Sequence, residues 1–203
     1  MKDLIGKFLT HKYFRNPIFV VGPSRSGTSV LLQALGKHPS IFAMPGEAPF
    51  ITSIGGAVYA FKFGKSSNYY SDSLKFPKQY LYNFLRRLCF ECAAGSNYGF
   101  RIVLKSIVKH DLSVLSNDYW CAKTFPDSKV ARGLIELYPN IRFVNLARNG
   151  CDVIQSMMKF SAFRYEEFEN HCVNWVTAIN NFHYLEDLSQ TTGVRHEEMV
   201  GNP

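Results

Sequence analysis

Two glycines with four residues between them frame the clearest chemistry in this chain, the run Gly22-Pro23-Ser24-Arg25-Ser26-Gly27-Thr28-Ser29. Backbone N–H groups in such a loop, followed by a helix N-terminus, point at an anion, and glycine lets a phosphate approach the main chain. The frame is that of a Walker A loop. A nucleoside triphosphatase of that kind needs Lys after the second glycine and an Asp at the end of a neighbouring strand to hold Mg²⁺. Thr28 takes the first position, and the best candidate for the second strand, Ile141 to Ala147, runs into Arg148 instead. An arginine inside the loop, with hydroxyls at Ser26, Thr28 and Ser29, suits a terminal group of lower charge than a γ-phosphate, held without magnesium. The plainer alternative is a Gly/Ser turn that caps a helix.

Other residues could serve the same anion. Arg148 follows a strand, and Ser156 stands eight residues on, in the next helix. One guanidinium and one hydroxyl can then converge on a dianion at the carboxyl edge of a parallel sheet. Glu47, after the turn Pro45-Gly46, lies at the same edge and can take a hydroxyl proton if it comes within hydrogen-bond reach. Its alternative role is an acidic residue at a helix start, favoured by the dipole. Cys89 and Cys92 form a CxxC pair, but no second pair or Cys/His partner stands at zinc spacing, so both are expected to face a core and no metal is expected.

The elements that must position these groups alternate. Pro17 to Gly22 is a short apolar run rich in β-branched residues, as in a strand buried on both faces. After the loop, Leu31, Leu32 and Leu35 fall at helical spacing, closed by Gly36. Ile41 to Met44 is a second strand. From Ile51 to Ser73 the sequence is rich in Gly, Ser, Tyr and Lys without a clean period, which predicts an irregular surface segment that could bind an acceptor.

From Pro77 on, Leu81, Phe84, Leu85, Leu88, Cys89 and Cys92 predict an amphipathic helix with Arg86 and Arg87 in solvent. Asp118 to Lys123 is expected as a strand, then a helix capped by Asp127 or Ser128 and stopped at Tyr138-Pro139, then the strand Ile141 to Ala147. A long helix follows, with Phe168, Cys172, Trp175, Ile179 and Phe182 on one stripe, and Val194 to His196 is a closing strand. The series predicts an α/β protein, a three-layer P-loop-type fold with a central parallel β-sheet flanked by helices, and one domain over residues 1–203.

Composition sets the outer bounds. The 203 residues are 46% hydrophobic and 15% aromatic, enough for one domain with a core, which excludes a disordered tail or a disulfide miniprotein. A formal charge of +7 favours an anionic ligand, and nothing in the sequence singles out nucleic acid. Five scattered cysteines point to a reduced, cytoplasmic protein. The charged stretch before Pro17 lacks the apolar run of a secretory signal, so none is expected there, and no segment approaches the ~18 apolar residues of a membrane span. The end at Gly201-Asn202-Pro203, directly after the closing strand and with no helix behind it, suggests a truncated sequence.

These motifs, in this order, resemble the sulfotransferases that use 3'-phosphoadenosine-5'-phosphosulfate (PAPS), over Pro17 to Pro203. The Gly22 to Ser29 loop resembles that family's 5'-phosphosulfate motif, and Arg148 to Ser156 its 3'-phosphate motif. Pro45-Gly46-Glu47, Lys123 with Pro126, and Trp175 with Ala178-Ile179 are most similar to the tyrosylprotein type. The resemblance implies that Ser24, Arg25, Ser26, Gly27, Thr28 and Ser29 bind the 5'-phosphosulfate, and that Arg148 and Ser156 bind the 3'-phosphate. It also implies Glu47 as general base, with Lys123 steadying the leaving phosphate oxygen. The cytosolic small-molecule members carry a basic His within a Lys-Thr-His-Leu-Pro stretch, where this chain has Lys123-Thr124-Phe125-Pro126. A phenyl ring accepts no proton, so His38, His110, His171, His183 and His196 are expected on the surface or in packing. His196-Glu197-Glu198-Met199 stands where the family has Tyr-Glu-x-Leu, and the family's C-terminal section does not follow.

The expected function is metal-free sulfuryl transfer from PAPS to an acceptor hydroxyl or amine on a small molecule, carbohydrate, lipid or peptide tyrosine. A P-loop kinase or NTPase with a degenerate loop would prefer Mg-ATP and ignore a 3'-phosphate. A non-catalytic nucleotide-binding protein would keep the fold without turnover.

Overall fold

The structure is a computed structural model and describes residues 16–64, 78–95, 119–163 and 166–201. Its centre is β1 (Pro17–Val21), whose Phe19, Val20 and Val21 are fully buried, as expected of a strand covered on both faces. On one side lie β3 (Tyr119–Lys123) and then β2 (Ile41–Glu47). On the other lie β4 (Arg142–Ala147) and β5 (Thr191–Arg195). The order is β2-β3-β1-β4-β5 and every pairing is parallel, so all five strands end at one edge.

Parallel neighbours need crossovers, and helices supply them. They are α1 (Thr28–Leu35), α2 (Pro49–Phe63), α3 (Lys78–Gly95), α4 (Ser128–Leu137), α5 (Gly150–Lys159), α6 (Phe168–Glu186) and α7 (His196–Gly201), with a 3₁₀ turn at Ser161–Phe163. Asp127 caps α4 by accepting the Val130 N–H at 2.8 Å, one of the two caps expected there.

The larger core lies under α2, α3, α4 and α6. Phe19, Trp120 and Tyr138 meet edge to face there, with centroids 5.4 and 6.1 Å apart for the Trp120 pairs. The smaller one, Val20, Leu32 and Cys121, lies under α1. Burial pushes the thiols of Cys89 and Cys121 up to about 12, so both act as small hydrophobes.

Four expectations fail. The segment expected to be irregular from Ile51 forms α2, which buries Ile51, Ile54 and Val58; residues 65–73 lie outside the described residues. Its glycines serve packing: a Cβ on Gly133 of α4 would collide with the Gly55 carbonyl, and one on Gly55 would come 2.8 Å from Leu134 and Val130.

Among the described side chains of α3, Tyr82, Leu85 and Cys89 are buried, while Phe84, Leu88 and Cys92 face outward. Arg86 is not simply solvated, since its Nε donates to the Leu137 carbonyl at 2.9 Å and satisfies the end of α4. Tyr82 and Lys62 add a hydrogen bond of 2.9 Å and an ion pair of 2.5 Å to Glu136, which tie α2, α3 and α4 together.

The stripe on α6 is kept only in part: Phe182 is buried and Cys172, Trp175 and Ile179 are half-buried, but Phe168 is exposed and His171 and Leu185 are buried beside it. Finally, β5 is followed by the short helix α7, not by an open end.

Candidate active site

The turn out of β1 is held open by its backbone. A Cβ on Gly22 would lie 2.5 Å from the Leu146 carbonyl, so only glycine lets β1 leave the sheet this close to β4. Arg25 (φ 64°) and Gly27 (φ 95°) are both left-handed, and Gly27 starts α1 without any side-chain cap. Left-handed residues set beside right-handed ones turn successive N–H groups inward, the geometry of an anion nest. The hydroxyl of Ser26 is spent on the loop itself, donating to the Pro23 carbonyl at 2.6 Å, so Ser26 is a brace. Thr28 is buried, while Ser24 and Ser29 border the cavity above the loop.

Arg148 and Ser156 do reach this loop. Arg148 Nη1 donates to the Arg25 carbonyl at 3.0 Å, and Arg25 Nε donates to Ser156 Oγ at 3.1 Å. The Arg25 guanidinium lies 4.4 Å above the Phe160 ring. Arg148 Nε is buried without a hydrogen-bond partner among the described residues. Arginine heads therefore border a cavity of about 460 Å³, which the loop, Glu47, Lys123 and Ser156 also line.

Glu47 owes its place to a local irregularity. Ala43 pairs with Cys121 but Glu47 with Lys123, so β2 carries extra residues across Pro45 and Gly46, with Gly46 at φ 78°. A bulge of this kind re-aims a side chain at a sheet edge. It sets the carboxylate 2.8 Å from Lys123 Nζ. Lys123 is the more enclosed partner, at 12% exposure against 59% for Glu47, and its Nζ also lies 3.5 Å from Ser29 Oγ. Phe125 contributes a ring 5.3 Å from Nζ and no proton acceptor.

The site has a further corner that the motifs do not announce. His196 lines the same cavity, and a Cβ on Gly27 would come 2.6 Å from its ring. Next to it, Glu197 Oε1 accepts the Asn149 N–H at 2.9 Å, bonding α7 to the start of α5. That backbone hydrogen bond holds the Glu197 carboxyl below its ordinary range. The signal was available, because a residue that follows the last strand of a parallel sheet falls at the edge the loop occupies. His171 is buried in packing and His183 is exposed, as expected, while His110 lies outside the described residues.

Among the described residues no cluster of His, Cys, Asp and Glu could hold a metal, and no helix is long and apolar enough to cross a membrane. A model of the sulfotransferase family matches residues 17–203, and the chain belongs to that family. Its fold is similar to three solved sulfotransferases, and in each case the match covers 93% of this chain. The domain from the Synechococcus PCC 7002 olefin synthase is 17% identical with a TM-score of 0.55, over 69% of that chain. The domain from the curacin biosynthetic pathway is 17% identical with a TM-score of 0.52, over 69% of that chain. The Alicyclobacillus acidocaldarius sulfotransferase is 16% identical with a TM-score of 0.51, over 76% of that chain. Among curated proteins the sequence finds no significant match.

Proposed function

We propose that this chain is an enzyme that moves a sulfuryl group from PAPS to an acceptor hydroxyl or amine by in-line displacement without a metal, within a single domain. The observation that carries this reading is the Glu47–Lys123 pair, 2.8 Å apart, facing one cavity with the Gly27 loop, Arg25, Arg148 and Ser156. The unpaired Arg148 Nε and the glycine-opened loop fit an anionic nucleotide. PAPS supplies an activated sulfuryl group, whose bond to the bridging phosphate oxygen breaks as a new bond to the acceptor forms.

Glu47 takes the proton from the acceptor. Lys123 carries charge that grows on the bridging oxygen, and Arg25 with the loop N–H groups carries that on the sulfuryl oxygens. Arg148 and Ser156 hold the 3'-phosphate, which requires Ser156 to exchange its bond from Arg25. The acceptor can be a small molecule, a carbohydrate, a lipid or a peptide tyrosine, and the charge of +7 raises the local concentration of acidic ones.

Calorimetric titration with adenosine 3',5'-bisphosphate, against Mg-ATP and 5'-AMP, tests the donor site. Metal-free binding of the bisphosphate, lost in Arg148→Ala, is expected. A preference for Mg-ATP would replace this reading with a phosphotransferase, and a folded protein that binds none of them would overturn it.

A further inference from the structure

Glu47 and Lys123 face each other 2.8 Å apart, yet little in the sheet itself holds them there. The carboxylate is 59% exposed, and an ion pair with so open a partner contributes too little to fix its own geometry. The β2–β3 ladder is interrupted between Ala43 and Glu47, so a single pair of the register, Glu47 with Lys123, lies beyond the bulge. Their spacing must therefore be set by the chain that follows them. The Ala48 N–H donates to the Lys123 carbonyl at 3.1 Å, and the Thr124 N–H donates to the Val20 carbonyl of β1 at 3.2 Å. In the first turn of α2, the Thr52 hydroxyl meets the Thr124 hydroxyl at 2.9 Å, with Thr124 only 1% exposed. Thr52 stands five residues after Glu47 and Thr124 one after Lys123, so this bond joins the two segments a second time as they leave the sheet.

We propose that Thr52 and Thr124 are positioning residues: their paired hydroxyls set the spacing of Glu47 and Lys123, and through it the rate of sulfuryl transfer. This rests on that pair acting as in the proposed function. Stability alone does not call for the hydroxyls, because two apolar groups of the same shape can replace a buried hydrogen-bonded pair at almost no cost. Distance does call for them. The two oxygens approach to 2.9 Å, whereas two carbon atoms settle about 3.5–4.0 Å apart, so an apolar pair would part α2 from the end of β3 by roughly 1 Å. A misplacement of that size, caused away from the reacting atoms, can cost about a hundredfold in rate. Neither threonine is among the residues that line the cavity with the loop, Arg148 and Ser156, so nucleotide affinity should not follow the rate.

Release of inorganic sulfate from PAPS to water tests this without the choice of an acceptor. In that reaction the water oxygen bonds to sulfur, the bond from sulfur to the bridging phosphate oxygen breaks, and Glu47 receives the proton before passing it to solvent. Thr52→Val combined with Thr124→Val should lower kcat about 10- to 100-fold. KM for PAPS, affinity for adenosine 3',5'-bisphosphate and the urea midpoint should stay close to the parent's. A purely structural pair would move the midpoint and leave kcat per folded molecule unchanged. Thr52→Ser keeps a hydroxyl and should keep the parent's kcat, and Thr52→Ala should not, which decides the matter even where the double variant does not fold. Parental kcat in the double variant, or equal kcat in Thr52→Ser and Thr52→Ala, overturns the proposal. If Glu47→Gln and Lys123→Ala lose turnover in the same assay, the proposed chemistry then stands without it. If those two keep the parent's rate, or the parent releases no sulfate, both readings fall together.

Discussion

Where α2 crosses α4, Gly55 and Gly133 let two backbones touch, and the space a side chain would need is already filled by Val130, Leu134 and the facing main chain. Where β1 gives way to α1, Gly22 and Gly27 do the reverse: they admit Leu146 and His196 from the flanks but leave the loop bordering a cavity. The same missing Cβ closes space in one region and keeps it open in the other. The first use stabilises the fold, and the second prepares a place for charge. The two should therefore separate under mutation, since one set of residues governs unfolding and the other governs what the protein binds and converts.

The largest effect is expected at the cavity. Lys123→Ala should slow sulfuryl transfer by about 10²–10³, in line with loss of one preorganised donor, and Glu47→Gln should lose turnover while keeping bisphosphate affinity. Steady-state rates and calorimetry on both variants test this, and near-parental turnover in either would remove that residue from the chemistry.

Next in size, Gly133→Ala should destabilise the protein by about 1–3 kcal/mol through overpacking, seen as a lower urea midpoint, with bisphosphate affinity intact. Gly27→Ala should show the opposite balance, a smaller loss of stability and a large loss of affinity. If both variants changed in the same way, the division between the two regions would collapse. Smallest of all, Asp127→Ala removes the cap of α4 and should cost about 1 kcal/mol in the same urea assay, with no change in turnover.

Much of this was legible in the residues. The apolar run before Gly22 and the leucines after it could only be strand, loop and helix, and Arg148 at the end of another buried run had to come to the same edge. The helix α2 was obscured by composition, because Gly55, Gly56, Ser53 and Thr52 look like loop residues when their packing partner is unknown. Its signal was present in Ile51, Ile54, Val58 and Phe61, at steps of three, four and three, and in Pro49 at the helix start. Glu47 was found but not its ion pair, since the bulge that sets it against Lys123 depends on β2 pairing with a strand more than seventy residues away. His196 and Glu197 could be placed just past the last strand, at the loop's edge, but not their contacts with Gly27 and Asn149, which depend on β5 closing against β4.

The bonds that assemble the cavity all span long stretches of chain. Arg25 and Ser156 are 131 residues apart, Arg148 and Arg25 are 123 apart, and Lys123 and Ser29 are 94 apart. Such a site cannot form early or in pieces, because each contact must wait for loops of that length to close. Its appearance thus coincides with completion of the sheet, and any ligand of the cavity added to a refolding chain would bind only molecules that had finished, drawing the population toward the native state by mass action.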